Sequence, residues 1–82
     1  MQTKEAILVR VLEILSETFE LDTTKICLES DLYSELGIDS IDAIDLLLKL
    51  QGMTEKRIQP AAFKQTRTVR DVVDTVYALQ QP

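Results

Sequence analysis

The chain has 82 residues, 45% of them apolar and 28% charged, with a formal net charge of −5. That length suits one compact domain and is too short for two, and a domain of this size buries only about 60% of the surface its unfolded chain exposes. The apolar and charged fractions argue for a packed globule and against disorder. With no histidine and Cys27 as its one cysteine, the sequence lacks an internal disulfide, the usual zinc ligands and the base of Ser-His or Cys-His nucleophile pairs, which argues against an independent enzyme. Two glycines and two prolines leave room for long regular elements and favour an all-α chain over a turn-rich β fold. The N-terminus turns amphipathic within a few residues and no apolar run approaches the roughly 18 to 20 residues of a membrane span, so a soluble, cytoplasmic protein is expected.

From about Thr3 to Phe19, the residues Ile7, Val11 and Ile14 and the residues Leu8, Leu12, Leu15 and Phe19 form adjacent stripes at helical spacing. They predict a helix with one broad buried face. Leu21 to Leu36 lack that periodicity, and Asp22-Thr23-Thr24, Glu29-Ser30-Asp31 and Ser34 are residue types that bond to nearby backbone and favour turns. A long loop is therefore expected, pinned to the core by Ile26, Leu28, Leu32 and Leu36, since a structureless connection of this length is unusual in a small domain. Cys27 reads as a small, partly buried hydrophobe within it. Gly37 breaks the chain, and a second helix is expected from Asp39 or Ser40 to about Gln51, with Gly52 placed as its stop. Gln59-Pro60 then opens a short helical stretch, Ala61-Ala62-Phe63. Thr68 and Asp71 have the spacing of a capping box, and Val69, Val72, Val73, Val76 and Tyr77 continue as a helical stripe to about Leu79. The β-branched content of that stripe favours strand mildly, but such propensities differ by only about a few tenths of a kcal/mol per residue, and the spacing and cap prevail.

Charge is bipolar along the chain. Glu29, Asp31, Glu35, Asp39, Asp42 and Asp45 lie in a segment without Lys or Arg, whereas from Lys49 to Arg70 the cations Lys49, Lys56, Arg57, Lys64, Arg67 and Arg70 face only Glu55. The acidic segment disfavours nucleic acid and either solubilises the surface or steers basic protein partners.

The second helix has more apolar positions than one buried face requires. Ala43, Leu46, Leu47 and Leu50 follow i, i+3, i+4, i+7 spacing, while Ile41, Ile44 and Leu48 form a second stripe interleaved with Asp42, Asp45 and Lys49. Either the helix sits centrally and buries both stripes, or the second stripe is a protein-docking strip beside carboxylates. Taken locally, Asp39-Ser40 is a capping pair in which either side chain can accept from unpaired amides. Covalent modification is the alternative, since a helix start after a loop is exposed and favourable to an attached phosphodiester.

The run Leu36-Gly37-Ile38-Asp39-Ser40-Ile41 resembles the L-G-x-D-S-L signature of acyl carrier proteins, with isoleucine in place of the usual leucine after serine. The likeness extends from about residue 3 to residue 79. The family pattern is a long first helix, an extended loop ending in D-S, an acidic second helix, a short third helix and a last helix preceded by T-V. Thr68-Val69 stands at that last position, and Asp31-Leu32 precedes the motif at the customary distance. The resemblance implies an all-α, small four-helix bundle, with three longer helices plus a short third one and a long loop between the first two, as a single domain over residues 1–82.

It also implies that Ser40 receives 4'-phosphopantetheine from coenzyme A through a separate phosphopantetheinyl transferase, which supplies its own magnesium. The arm's terminal thiol would hold acyl groups as thioesters in fatty-acid, polyketide or related lipid biosynthesis, making the chain a non-catalytic and monomeric carrier. Asp39, Ile41, Asp42, Ile44, Asp45 and Leu48 match positions where the family meets basic acyl-loading and acyl-processing enzymes, and the core stripe would line a cleft that partly shelters an acyl chain. Gln51-Gly52, Lys49 and the later cations depart from the acidic face of bacterial fatty-acid carriers, which implies specialised partners. Asp39 before the serine is typical of fatty-acid and polyketide carriers. A peptidyl or aminoacyl carrier, and an unmodified helical interaction module of the same fold, are the alternative readings.

Overall fold

Each helix begins at a side chain that takes up an otherwise unpaired backbone amide. A computed structural model of the chain describes residues 3–53 and 66–80, with α1 at Lys4–Phe19, α2 at Ser40–Leu50 and α3 at Val69–Leu79. Thr3 Oγ1 accepts from the Ala6 amide at 3.1 Å to start α1. Asp39 Oδ1 accepts from the Asp42 amide at 2.8 Å to start α2. At α3 the expected capping box forms, with Thr68 Oγ1 accepting from the Asp71 amide at 3.2 Å and Asp71 Oδ2 accepting from the Thr68 amide at 3.2 Å. Caps of this kind contribute about 1 kcal/mol each, which matters in a domain this small. Glu20, in the left-handed region at φ 57°, ends α1 and donates its amide to the Leu15 carbonyl.

The core is made by one stripe from each helix and two residues from the connection. Ile7, Val11, Ile14 and Leu15 of α1 meet Leu46, Leu47 and Leu50 of α2 and Val69, Val72, Val73 and Val76 of α3, with Leu32 and Ile38 completing it. α1 packs against both other helices, more extensively against α3. The valine stripe of α3 is helical, as its spacing predicts, because burial of one face outweighs the β-branched propensity.

The segment between α1 and α2 is tied down. Asp22 caps a single 3₁₀ turn, Thr23–Lys25, and Ile26, Leu28 and Leu36 pack half-buried around the fully buried Leu32 as expected. Backbone bonds then stitch the segment to the entry of α3. The Leu32 amide donates to the Arg67 carbonyl at 2.7 Å, the Val69 amide to Ser30 at 3.2 Å and the Arg70 amide to Leu28 at 2.9 Å, around an antiparallel bridge between Asp31 and Thr68. The cations of α3's entry follow: Arg67 pairs with Asp31 at 3.5 Å and Arg70 with Glu29. Lys49 reaches Asp45 at 4.0 Å, so each described cation between Lys49 and Arg70 faces a carboxylate.

Two expectations need correction. Cys27 is exposed, and its neighbour Ser30 is the buried residue, its hydroxyl accepting from the Cys27 amide at 2.9 Å. Gly52 does not stop α2 through a left-handed turn, since Gly37 is the one described glycine with positive φ; α2 tightens instead into a 3₁₀ turn, Gln51–Met53. The described residues hold three α-helices and no strand, and the short helix expected at Ala61-Ala62-Phe63 lies outside them. No described helix is long and apolar enough to cross a membrane.

Two of the carboxylates just named make stability depend on acid. Amides of Arg67 and Thr68 hold Asp71 below its usual pKa of 3.8, and the Ser34 amide, foremost, does the same for Asp31. A lowered folded-state pKa adds stability above the unfolded value and loses it as pH falls through the folded one. The melting temperature should therefore drop below pH 3.8. Asp71→Asn should melt earlier than the parent at neutral pH, with the gap closing in acid, as thermal melts across pH will read.

Candidate functional site

The four residues leading into α2 divide the work of presenting Ser40. Leu36 packs half-buried on the core. Gly37 reverses the chain at φ 69°, a conformation that residues with a Cβ rarely adopt, although space around it is open. Ile38 is only 3% exposed and plugs the core, its amide donating to the Leu32 carbonyl at 2.9 Å. Asp39 is the N-cap, and Asp42 completes a capping box by accepting from the Asp39 amide at 3.5 Å. Ser40 then stands at the first helical position, exposed. Of the two candidates for the cap, Asp39 takes the role. The Ser40 hydroxyl makes no hydrogen bond among the described residues.

This arrangement leaves a nucleophilic oxygen where a substituent meets open solvent on one side and the helix start on the other. The first bond into the helix is from the Ala43 amide to the Asp39 carbonyl at 2.9 Å, so the amides of Ser40 and Ile41 precede the ladder. Together with the helix dipole they favour a negatively charged group there. The carboxylates of Asp39 and Asp42 are each directed at a backbone amide, which offsets their charge beside the serine.

The two apolar stripes of α2 part company. Leu46, Leu47 and Leu50 are buried and Ala43 is half-buried, whereas Ile41, Ile44 and Leu48 are 76%, 48% and 60% exposed. The helix therefore does not bury both faces. Asp42 and Asp45 lie half-buried along the exposed stripe, so an apolar strip with an acidic margin runs from Ser40 down the helix. All six residues expected to meet partners sit on this one element or its cap, and Asp39 carries the capping duty besides. The residues facing the core stripe of α2 are described only in part, and the two clefts among the described residues lie elsewhere. Clefts of about 300 Å³ flank α1, one beside Val9, Leu12 and Thr23 and the other beside Leu8, Leu28 and Val73, and neither is lined by α2. Sequence reasoning overlooked Ile38, whose apolar side chain two residues before the serine was the available signal.

Comparison with known proteins gives a consistent result. A family model described as phosphopantetheine attachment site matches residues 9–76. Acyl carrier protein 2 of Ralstonia nicotianae is 47% identical over 77 residues, covering 94% of this chain and 95% of that protein. Acyl carrier proteins of Coprothermobacter proteolyticus, 33% identical over 73 residues and 89% of each chain, and of Exiguobacterium sibiricum, 32% identical over 74 residues, 90% of this chain and 94% of that one, are similar over nearly the same span.

Proposed function

Because this chain belongs to the acyl carrier protein family, we propose that Ser40 is the residue that receives its 4'-phosphopantetheine, and that the exposed stripe of α2 is the face its enzymes read. The observation that carries the reading is the unpaired, exposed hydroxyl of Ser40 at a helix start already capped by Asp39. A phosphodiester fits there: the oxygen is accessible, no native bond has to break, and the free amides of the first turn face the added charge.

In the modification, Ser40 Oγ forms a bond to the phosphorus of coenzyme A that bears the pantetheine, and the pyrophosphate bond breaks. Adenosine 3',5'-bisphosphate leaves with the electron pair, and the serine proton passes to a base on the transferase, since this chain has no histidine. The attached arm supplies a terminal thiol that holds acyl groups. The chain's own residues then position and identify that thiol: α2 packs its buried stripe on α1, and Ile41, Ile44 and Leu48 with Asp42 and Asp45 offer a basic enzyme an apolar strip inside an acidic margin. Tethering raises the local concentration of the acyl group at each docked enzyme. On this reading the chain is a single-domain, monomeric carrier with no catalytic step of its own, working in the cytoplasm for fatty-acid or related lipid synthesis.

Incubation with coenzyme A and a broad-specificity phosphopantetheinyl transferase should add one phosphopantetheine increment to the intact mass, and Ser40→Ala should add none. A folded parent that stays unmodified would leave an interaction module of carrier fold in its place. Loading of the modified form by aminoacyl-activating enzymes alone would make the cargo aminoacyl.

A further inference from the structure

The segment that delivers Ser40 is governed from one residue nine positions earlier in the chain. Asp31 Oδ1 accepts from the amides of Tyr33 and Ser34, both at 2.9 Å. Its backbone carbonyl accepts from Glu35 and Leu36, both at 3.1 Å. Its Oδ2 faces Arg67 at 3.5 Å. The loop closes at its far end through the Ile38 amide on the Leu32 carbonyl, and Leu32 is anchored in turn by its own amide on the Arg67 carbonyl. Four consecutive amides, from Tyr33 to Leu36, thus converge on one residue just before Gly37 redirects the chain. Asp31 is itself fixed, because it lies in the bridge to Thr68, the cap of α3.

We propose that Asp31 is a positioning residue for the modification of Ser40: by gathering the amides of Tyr33 and Ser34 it holds the loop Leu32–Ile38 in one shape and so fixes the cap and first turn of α2, and with them the Ser40 hydroxyl, relative to the exposed stripe further along that helix. The inference rests on the reading of Ser40 as the attachment site. It assigns the work to the amide bonds more than to the ion pair, because Arg67 is 71% exposed at its side chain and pairs in such settings are screened by water. Asp31 touches neither coenzyme A nor the reacting oxygen; its action passes through Ile38 and Asp39. The docking stripe of α2 lies outside the loop, so loss of the turn should change the rate of the docked complex more than its formation.

Steady-state modification by the transferase, with the carrier as varied substrate, tests this. Asp31→Ala should lower kcat about tenfold with KM nearly unchanged, since displacement of a reacting group by about 1 Å costs up to about a hundredfold. Asp31→Asn should retain most of the rate, because its amide oxygen still accepts from Tyr33 and Ser34. Asp31→Glu keeps the charge and serves if the alanine variant folds poorly; its longer side chain should miss the turn and behave as alanine does. Arg67→Gln should fall within about twofold of the parent. Val73→Ala, which destabilises the buried core away from this loop, should leave kcat unaltered. Amide hydrogen exchange should speed up at Glu35, Leu36 and Ile38 in the alanine and glutamate variants alone. Parental kcat in both those variants, a glutamate variant as fast as the asparagine one, or an equal fall in Val73→Ala would overturn the proposal. A parent that is never modified, or a Ser40→Ala variant that still is, would instead overturn the reading of Ser40.

Discussion

Leu47→Ala is expected to unfold a large share of the protein at physiological temperature, while Leu48→Ala, one residue on, leaves its stability almost untouched. Leu47 is 1% exposed and Leu48 60%, although composition treats them alike. Truncating a buried leucine costs about 2–5 kcal/mol through lost burial and the cavity left behind. A domain of 82 residues has a total stability of about 4–12 kcal/mol, so that single change removes a large fraction of it and should lower the melting temperature by about 10 °C or more. The exposed neighbour should stay within about 0.5 kcal/mol of the parent. Melting followed by circular dichroism will compare the two. Equal losses would mean that α2 is packed on both faces.

The second large effect is functional and leaves stability alone. Ile44→Asp should keep the melting temperature and lower kcat/KM with the transferase by about 30-fold, the equivalent of the roughly 2 kcal/mol lost when a central interface anchor is removed. Ile44 is central in the exposed stripe, between Ile41 and Leu48 and beside half-buried Asp45. Val9→Asp is the matched control: Val9 is 56% exposed but lies on α1, and its replacement should not change the rate. If the two variants behave alike, the stripe is not the docking face. The acidic margin adds a second signature, since salt should slow association with a basic partner and do so less in Asp45→Asn.

The helices were legible because each is written in short-range terms. Ile7, Val11 and Ile14 repeat at helical spacing, and Thr68 and Asp71 cap α3 within four residues of chain. Ser40 itself was legible only through the run Leu36 to Ile41 as a whole, because Asp39 and Ser40 are equally good caps on paper; the backbone geometry gave that role to Asp39. The two stripes of α2 could not be ranked from spacing, since which one faces inward depends on where α1 lies. The pairing of Leu28, Ser30 and Leu32 with Arg67 to Arg70 was invisible for the same reason. It joins residues far apart in the chain, and no local periodicity marks a contact made by backbone atoms. The ion pairs of Arg67 and Arg70 follow from that pairing, so these two cations at the end of the basic stretch face Asp31 and Glu29 of the acidic one across it.

That pairing also orders events during synthesis. Leu28, Ser30 and Leu32 find backbone partners, and α1 its larger packing partner, in residues 66–79, which are made well after Ser40. A nascent chain that ends at Leu50 already contains Ser40, the cap of its helix and the local bonds of the loop before it, yet lacks the backbone partners that anchor that loop at the entry of α3. The loop before Ser40 is thus anchored by residues made later than the serine itself, and an enzyme that requires the anchored shape can act only once residues 66–79 have been made.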